Sequence, residues 1–442
     1  MRCILAATLL VPLAAADPEP DAAVADAARW VEPRGCASGS FRSHALPVVA
    51  EIEEAWHLEF EAIESPPVHW DGTGYLVARA GGKLHLVAFD LATGKELART
   101  FLRAFVAGSG LLVWDHMVLL QPEAQQFTGY VLKGRKLEIA WICRGRQTGS
   151  AWVYPRLPVI HDNELFCFLG NDIARFRPGA SAPSWTAALD PGIPEGSVAR
   201  VMDSRMEARP IVCGPFVLVL WYDAATTQAV LAGETKPREF ANLMLAVYRR
   251  SNGANVLHRK IGSALYEESM GPELQAMIAG GRLLVNSRWP FPAMQSGRSG
   301  LATQLMLPVR IDGETVDVGE EPRLWAAQLP PACHPRLGVV MLSREAGLSG
   351  GALEWQFYRD GKIYGFARES EQPELFGVRV TPTVLGDVVY FGSWAADVET
   401  GEILWRLPTA GAVTYPIVPA DRLVLAVERG RILRAFRGRG KQ

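Results

Sequence analysis

The sequence lacks any apolar run long enough to span a bilayer. Its longest candidate, ILAATLLVPLAAA (4–16), is shorter than the ~20 residues that a membrane-spanning helix needs. Arg2 before this run and alanines before Asp17 are typical of a secretion signal with an A-x-A cleavage site. We therefore predict a signal peptide at residues 1–16, no transmembrane segment, and an exported protein, periplasmic or extracellular. An uncleaved anchor is the alternative.

The sequence also lacks an excess of charge of one sign. Its 442 residues include 45 Lys and Arg against 47 Asp and Glu, a net charge of −2, and we therefore expect no nucleic-acid partner. The C-terminal stretch RGRILRAFRGRGKQ (429–442) is the one strongly basic segment. We interpret it as a solvated chain end, with contact to an anionic surface as the alternative.

Closely spaced cysteines are absent. After removal of the signal peptide, five cysteines remain: Cys36, Cys143, Cys167, Cys213 and Cys333. None form a C-x-x-C or C-x-x-C-H pattern, which argues against a structural zinc site and a covalently attached haem. Because five is odd, at least one thiol is unpaired within a monomer. Two interpretations remain open, namely buried thiols throughout or one disulfide such as Cys143–Cys167.

Recognisable catalytic motifs are missing as well. The patterns H-E-x-x-H, S-x-x-K and the phosphate-binding P-loop do not occur. GLSGG (347–351) fits the G-x-S-x-G pattern of serine hydrolases, but a strand-like segment follows it and no His comes after Ser349. We interpret it as a glycine-rich turn. HDNE (161–164) is interpreted as a turn between strands, with a ligand set as the alternative. We expect no catalytic, cofactor-binding or metal residues.

The sequence does contain a repeated phrase of eleven residues. AADVETGEILW (395–405) matches AFDLATGKELA (88–98) at its Asp, Thr and Gly positions, and VYRRSNGANVL (247–257) keeps Gly253. Asp accepts hydrogen bonds from backbone N–H groups two or three residues on, and Gly supplies the positive φ of a tight turn. We predict a β-hairpin whose terminal Trp405 offers an apolar face to a neighbouring element.

Strand-rich runs, led by proline in the clearer copies, recur along the chain. Eight of them start near residues 67, 107, 158, 210, 276, 335, 382 and 416. A period of this size, made of strands and turns, is typical of a β-propeller. We predict an all-β fold in which residues 17–49 are a linker and residues 50–442 form a single propeller. Eight blades are expected, with seven as the alternative, and a strand within 54–62 is expected to complete the last sheet and close the ring.

The phrase A-x-D-x-x-T-G-x-x-x-W, followed by a proline-led strand, resembles the PQQ-like (quinoprotein-dehydrogenase-like) propellers. This family includes BamB, a lipoprotein of outer-membrane β-barrel assembly. The resemblance implies that Trp405 docks against the adjacent blade. It also implies that Asp397, Gly401, Asp90 and Gly94 shape the hairpin turns.

The resemblance also implies which docking positions are kept or lost. Ala98 and Leu257 stand where the phrase has Trp, whereas Trp56, Trp141, Trp185 and Trp325 are further docking candidates. True quinoprotein dehydrogenases hold PQQ beside two adjacent, disulfide-bonded cysteines and bind calcium. This chain has no adjacent cysteines and no EF-hand-like run, so we expect neither PQQ nor calcium.

One segment stands out as a candidate for binding a protein partner. NSRWPFPAMQSGRSG (286–300), interpreted as a loop, carries Arg288, Trp289 and Phe291, residue types that interface hot spots favour. The alternative is that it packs on its own propeller face. We expect a monomeric, non-catalytic scaffold for protein binding in the cell envelope. The alternatives are a PQQ-family oxidoreductase relative or a ligand-binding sensory ectodomain, because propellers host many activities.

Overall fold

A computed structural model describes the strand-forming part of the chain. The described residues are 40–41, 52–105, 110–123, 126–144, 158–169, 172–189, 209–229, 238–265, 274–279, 281–295, 298–313, 315–319, 323–325, 332–334, 338–344, 353–359, 362–368, 382–385, 388–397, 400, 402–420 and 423–438. Every regular element among them is a β-strand, which confirms the all-β prediction. The predicted signal peptide and the GLSGG turn lie outside these residues. Within the described part, no helix has the length and hydropathy of a membrane span.

The described strands assemble into eight sheets of four or five strands. The first two strands of the chain, β1 (Ser40–Phe41) and β2 (Ile52–Glu59), belong to the last two sheets. All other strands join the sheet of their sequence neighbours, mostly as antiparallel meanders. This order is the one expected of propeller blades.

The first four sheets follow the chain in order. Sheet 1 contains β3 (Ala62–Ile63), β4 (Val68–Trp70), β5 (Thr73–Ala80), β6 (Lys83–Asp90) and β7 (Glu96–Leu102). Sheet 2 contains β8 (Leu112–Trp114), β9 (Met117–Glu123), β10 (Gln126–Lys133) and β11 (Lys136–Arg144). Sheet 3 contains β12 (Val159–His161), β13 (Glu164–Leu169), β14 (Asp172–Phe176) and β15 (Trp185–Ala188). Sheet 4 contains β16 (Ile211–Cys213), β17 (Phe216–Ala229), β18 (Arg238–Arg249) and β19 (Asn255–Leu265).

The other four sheets complete the series. Sheet 5 contains β20 (Leu274–Ala279), β21 (Arg282–Gln295), β22 (Arg298–Asp312), β23 (Thr315–Val318) and β24 (Arg323–Trp325). Sheet 6 contains β25 (Ala332–His334), β26 (Gly338–Arg344), β27 (Leu353–Arg359) and β28 (Lys362–Arg368). Sheet 7 contains β29 (Thr383–Leu385), β30 (Val388–Phe391), β31 (Trp394–Asp397), β32 (Ile403–Arg406) and the parallel strand β1. Sheet 8 contains β33 (Val418–Ala420), β34 (Leu423–Glu428), β35 (Ile432–Gly438) and β2.

The chain's N-terminal strand shares a sheet with its C-terminal strand. β2 pairs antiparallel with β35, from Ile52 opposite Gly438 to Glu59 opposite Ile432. The strand predicted within 54–62 therefore does join the last sheet, whereas blade count and ring closure stay predictions. β1 pairs with β29, so the predicted linker contributes a short strand.

The core lies between neighbouring sheets. The second strands of the meanders read as apolar runs, such as YLVA (75–78) and FVLVL (216–220), because both faces of each sheet are covered. One buried cluster joins sheets 7, 8, 1 and 2, and others join 2 with 3, 3 with 4, and 4 with 5. Stacked sheets of this kind form a single β-propeller.

Candidate functional site

The hairpin turn of the repeated phrase is fixed by its Asp and Gly. In the first copy, the backbone N–H and the hydroxyl of Thr93 both donate to Asp90 Oδ1, at 2.8 and 2.6 Å. The N–H of Gly94 donates to the carbonyl oxygen of Asp90 at 2.8 Å, with a φ of 71° at Gly94. A side chain at this positive φ would be strained, so the turn requires glycine.

The later copies repeat this arrangement. Asp397 Oδ1 accepts from the N–H and the hydroxyl of Thr400, at 2.7 and 2.9 Å. Gly253 has a φ of 76°, and its N–H donates to the carbonyl oxygen of Arg249 at 2.8 Å. Gly401 lies outside the described residues. The Asp and Thr side chains therefore serve the turn itself.

Each turn glycine of the first and third copies is covered by an indole from the preceding sheet. A Cβ built on Gly94 would lie 2.6 Å from the Trp56 ring, and one built on Gly253 would lie 2.7 Å from the Trp185 ring. The indole N–H of Trp56 donates to the carbonyl oxygen of Leu91 at 3.1 Å. Each indole thus fills the seam between two sheets and caps a turn carbonyl.

Two further docking candidates are also placed between sheets. The indole N–H of Trp141 donates to the Ala180 carbonyl oxygen at 3.3 Å, and its ring lies edge-on to Phe176 in sheet 3. Trp405 is buried in the cluster that joins sheets 7 and 8, with its ring centroid 5.7 Å from that of Tyr390. The side chain of Trp325 lies outside the description.

A β-bulge precedes the docking position in five outer strands, where two residues of the strand face one residue of its neighbour. A bulge re-aims the next side chain, and here it turns that side chain towards the adjacent sheet. These bulges were not predicted from the sequence. The only sequence feature that marks them is an apolar residue directly before the docking position. The bulged residues are Ala55, Leu97, Ala140, Val256 and Leu404.

A partly buried ion network joins sheets 3 and 4. The Glu164 carboxylate accepts from both Arg175 and Arg250, the latter at 3.0 Å, and Arg250 also contacts Asp162 at 2.7 Å. Glu164 and Asp162 belong to HDNE, and Asp162 and Asn163 have positive φ in the turn between β12 and β13. HDNE is therefore a turn, as predicted.

This network is expected to make stability depend on pH. Burial raises the pKa of Glu164, but hydrogen bonds from Arg175 and Arg250 outweigh it and leave the pKa below its usual value. Burial also lowers the pKa of His161. Both groups bind fewer protons in the folded chain, so stability is lost as pH falls below about 6.5 for His161 and about 4.5 for Glu164.

Urea unfolding between pH 7 and pH 4 measures this dependence. We expect the midpoint to fall with pH, and to fall less steeply below about pH 4.5 in Glu164→Gln, which removes the titrating carboxyl. A midpoint that is flat or rises towards pH 4 would contradict the assignment.

Sheets 4 and 5 carry the longest hairpins among the described strands. β17 and β18 contain 14 and 12 residues, and β21 and β22 contain 14 and 15, whereas β5 and β6 of sheet 1 contain 8 each. In both hairpins a register shift separates the sheet from its extension, between Asp223 and Thr226 and between Asn286 and Phe291. We call the described parts of these two extensions (223–229 with 238–242, and 286–295 with 298–304) the hairpin face.

The predicted loop at 286–300 is largely a strand hairpin, and that interpretation was wrong. Arg288, Trp289 and Phe291 lie on β21, where Phe291 is opposite Ala302 of β22. Pro290 does not interrupt the ladder because it falls inside the register shift, where no partner is needed. The side chains of these residues lie outside the description.

The base of the hairpin face is tied together by buried polar and aromatic groups. The hydroxyls of Tyr222 on β17 and Ser287 on β21 are 2.6 Å apart and buried. The Trp221 ring stacks on His258 with centroids 5.4 Å apart. Burial raises the pKa of Tyr222, so it stays a neutral hydroxyl. Adjacent sheets therefore hold the two extensions from a fixed base.

The described residues also bear on cysteine and metal chemistry. Cys143, Cys167 and Cys213 are free thiols, so the alternative of a Cys143–Cys167 disulfide is not what the structure shows. Burial raises the pKa of Cys143 to about 11. No group of three His, Cys, Asp or Glu side chains in the described part is arranged to hold a metal ion. Cys143 on β11 and Cys167 on β13 lie on different sheets.

The fold is similar to solved structures of two kinds. BamB from Moraxella catarrhalis is 10% identical, with a TM-score of 0.50, and the match covers 89% of this chain and 99% of that one. A europium-containing methanol dehydrogenase is 12% identical, with a TM-score of 0.51, over 93% of this chain and 98% of that one.

A third structure, the quinohemoprotein alcohol dehydrogenase from Comamonas testosteroni, is 12% identical, with a TM-score of 0.54, over 96% of this chain and 83% of that one. At these identities the three structures share the fold alone. A comparison with curated proteins found no match. The family described as outer membrane protein assembly factor BamB matches residues 50–284, more than half of the sequence, and the chain therefore belongs to this family of PQQ-like propellers.

Proposed function

We propose that this protein is an exported, non-catalytic scaffold of the cell envelope that binds a protein partner through the hairpin face. The observation that carries the proposal is the pair of strand extensions on the adjacent sheets 4 and 5. Extensions of this length are not needed to complete a four-stranded sheet, so they are available to a partner. The matching family is described as an outer membrane protein assembly factor, and this description supports a role in the envelope.

Composition and placement of the extensions support an interface. Trp and Arg are enriched at interface hot spots, and the extension on β21 carries Arg288, Trp289 and Phe291. Its base is fixed by the Tyr222–Ser287 contact, so little ordering of the backbone is needed on binding. An aromatic-bearing hairpin with a fixed base is suited to a specific complex.

The test replaces the two aromatic residues of the extension. Trp289→Ser with Phe291→Ser is expected to reduce recovery of cross-linked partner from envelope preparations at least about tenfold, because hot-spot losses of 2 kcal/mol or more are typical. Thermal melting is expected to stay unchanged. Val256→Ser, at an exposed apolar position on β19, is the matched control. Loss of thermal stability with partner recovery unchanged would show that the segment packs on its own propeller.

We also propose that the scaffold works without a quinone cofactor. Titration of the purified protein with PQQ and Ca²⁺ is expected to give no new absorbance band and no change in melting temperature. A stoichiometric chromophore that stabilises the fold would instead support the oxidoreductase alternative.

A further inference from the structure

The two faces of sheet 5 can be distinguished at its base. Leu305 and Leu307 on β22 are buried in the cluster that joins sheets 4 and 5, so they lie on the face towards sheet 4. The register shift after Asn286 adds residues to β21 and none to β22, which is one strand from Arg298 to Asp312. Because successive residues of a strand lie on opposite faces, the even-numbered positions of β22 lie on the face away from sheet 4. We call this side of the β21–β22 extension the far face and the other side the near face.

The far face of the extension combines one aromatic residue with three small ones. Phe291 is opposite Ala302, and Ala293 is opposite Gly300. Directly opposite residues share a face of a sheet, so all four positions lie on the far face. Small residues let another molecule come close to a strand backbone, here beside Phe291.

The near face is turned towards the extension of sheet 4. Its positions include Pro292, which is opposite Leu301, and Met294, which is opposite Ser299. On this side β17 continues to Ala229 and forms the neighbouring extension. The near face therefore has a neighbour within the protein.

No described strand rises beside the far face to the same height. β26 and β27 of sheet 6, the next sheet along the chain, contain 7 residues each, against 14 in β21 and 15 in β22. β26 and β21 both begin directly after the hairpin from the first strand of their sheet, so the shorter strand ends lower. The segment from Phe291 to Gln295 extends about 15 Å along β21 beyond the register shift. In the described part of the chain, the far face is thus the open side of the extension.

The extension carries positive charge without carboxylates. Residues 286–304 contain Arg288 and Arg298 and no Asp or Glu, in a chain that has 47 acidic residues. Arg298 is opposite Gln295, at the end of the far face and about 13 Å along the strands from Phe291. A surface that binds here is therefore expected to offer an apolar site and, at that spacing, a negative charge.

We propose that the partner protein contacts the far face, with Phe291 in an apolar pocket of the partner and a partner carboxylate paired with Arg298. This contact rests on the proposed function, and it defines which side of the hairpin face is used. Buried aromatic anchors contribute most of the binding energy of an interface, whereas complementary charges at its rim fix orientation and speed up encounter. Phe291 has the first role in this contact and Arg298 the second.

Two other occupants fit the far face less well. A second copy would oppose Arg298 to the same carboxylate-free segment, and like charges at close range resist association. A lipid surface would attract the arginines, but pairing of β21 with β20 ends at Ser287, and pairing of β22 with β24 ends at Gln304. Beyond these residues the outer edges have no strand partner in the described structure, and unpaired backbone groups are costly in lipid.

The experiment places a photoreactive residue on one face of the full chain at a time. p-Benzoylphenylalanine replaces Gln295 on the far face or, as the matched control, Met294 on the near face. Irradiation with envelope preparations is expected to give one discrete protein adduct from position 295 and none from position 294. Phe291→Ser is expected to reduce the adduct at least about tenfold, as for a hot-spot residue. Arg298→Glu is expected to reduce it as well and Arg298→Lys to retain it, with thermal melting unchanged in every variant.

Several outcomes would overturn the proposed contact. These are equal adducts from both positions, no protein adduct from position 295, or an adduct that persists in Arg298→Glu. An adduct of twice the mass of the chain assigns the far face to a second copy. An adduct with phosphatidylglycerol vesicles, without any protein adduct, assigns it to membranes.

Failure of this contact can be told apart from failure of the proposed function. If Trp289→Ser with Phe291→Ser loses the partner while both photoreactive positions give equal adducts, the hairpin face still binds the partner and only the choice of side is wrong. If that double variant keeps both the partner and its melting temperature, the proposed function and the far-face contact are wrong together.

Discussion

Deletion of residues 50–62 is expected to abolish cooperative folding of the whole propeller. The deletion removes β2, which supplies the outer strand of sheet 8 and pairs with β35 along seven positions. It also removes Trp56, which fills the seam between sheets 8 and 1 and covers Gly94. Arg434 and Arg437 of β35 would lose their partners Glu54 and Glu53.

The measurement is chemical unfolding followed by tryptophan fluorescence and far-ultraviolet circular dichroism. The deleted chain is expected to show no sigmoidal transition and to aggregate, since the edge of β35 and the core face of sheet 8 become exposed. Removal of residues 439–442, which follow β35, is the matched control and is expected to leave unfolding unchanged. A deleted chain that unfolds at the same denaturant concentration as the full chain would show that β2 is dispensable.

Replacement of a docking indole by alanine is expected to lower the free energy of unfolding by about 3–5 kcal/mol, as for other large-to-small changes in cores. Trp405→Ala would leave a cavity in the cluster that joins sheets 7 and 8. Trp56→Ala would uncover Gly94 and leave the Leu91 carbonyl oxygen without its indole donor. The two residues lie in different seams, so their effects are expected to add.

Urea unfolding of the three variants, including the double one, measures these values. Trp394→Ala is the control, because the half-buried Trp394 ring lies under the Arg406 guanidinium of its own sheet at 4.9 Å. Loss of this half-buried cation–π contact is expected to lower the free energy of unfolding by about 1–2 kcal/mol, less than loss of a docking indole. If Trp56→Ala, Trp405→Ala and Trp394→Ala lowered the free energy of unfolding by the same amount, the repeated phrase would not act by docking one sheet against the next.

Much of the fold could be predicted because the sheets repeat a simple local signal. The first strands of the meanders begin at Val68, Leu112, Val159, Ile211, Leu274, Ala332, Thr383 and Val418, each close to a predicted start. Apolar runs bounded by turn residues mark strands that are covered on both faces. The pairing of β2 with β35 could be predicted because the C-terminal segment of the sequence leaves the last sheet one strand short.

Features that depend on distant residues were not predictable from the sequence. Glu164 meets Arg250 across 86 positions, and neither residue belongs to a recognisable pattern. The bulge at Ala140 depends on the register with β10. The segment around Trp289 was interpreted as a loop, and the register shift between Asn286 and Phe291, which takes in Pro290, depends on the pairing with β22.

The central claim is that the two ends of the chain meet in one sheet, and an engineered disulfide tests it most directly. Glu53 and Arg437 are directly opposite in β2 and β35, and such pairs have Cα separations of about 4.5–5.5 Å, within disulfide range. Glu53→Cys with Arg437→Cys is expected to form this cross-link in folded protein, identified by peptide mass spectrometry. Glu59→Cys with Arg437→Cys, at opposite ends of the pairing, is expected to stay reduced. A folded protein in which residues 53 and 437 stay reduced under oxidising conditions would contradict the account.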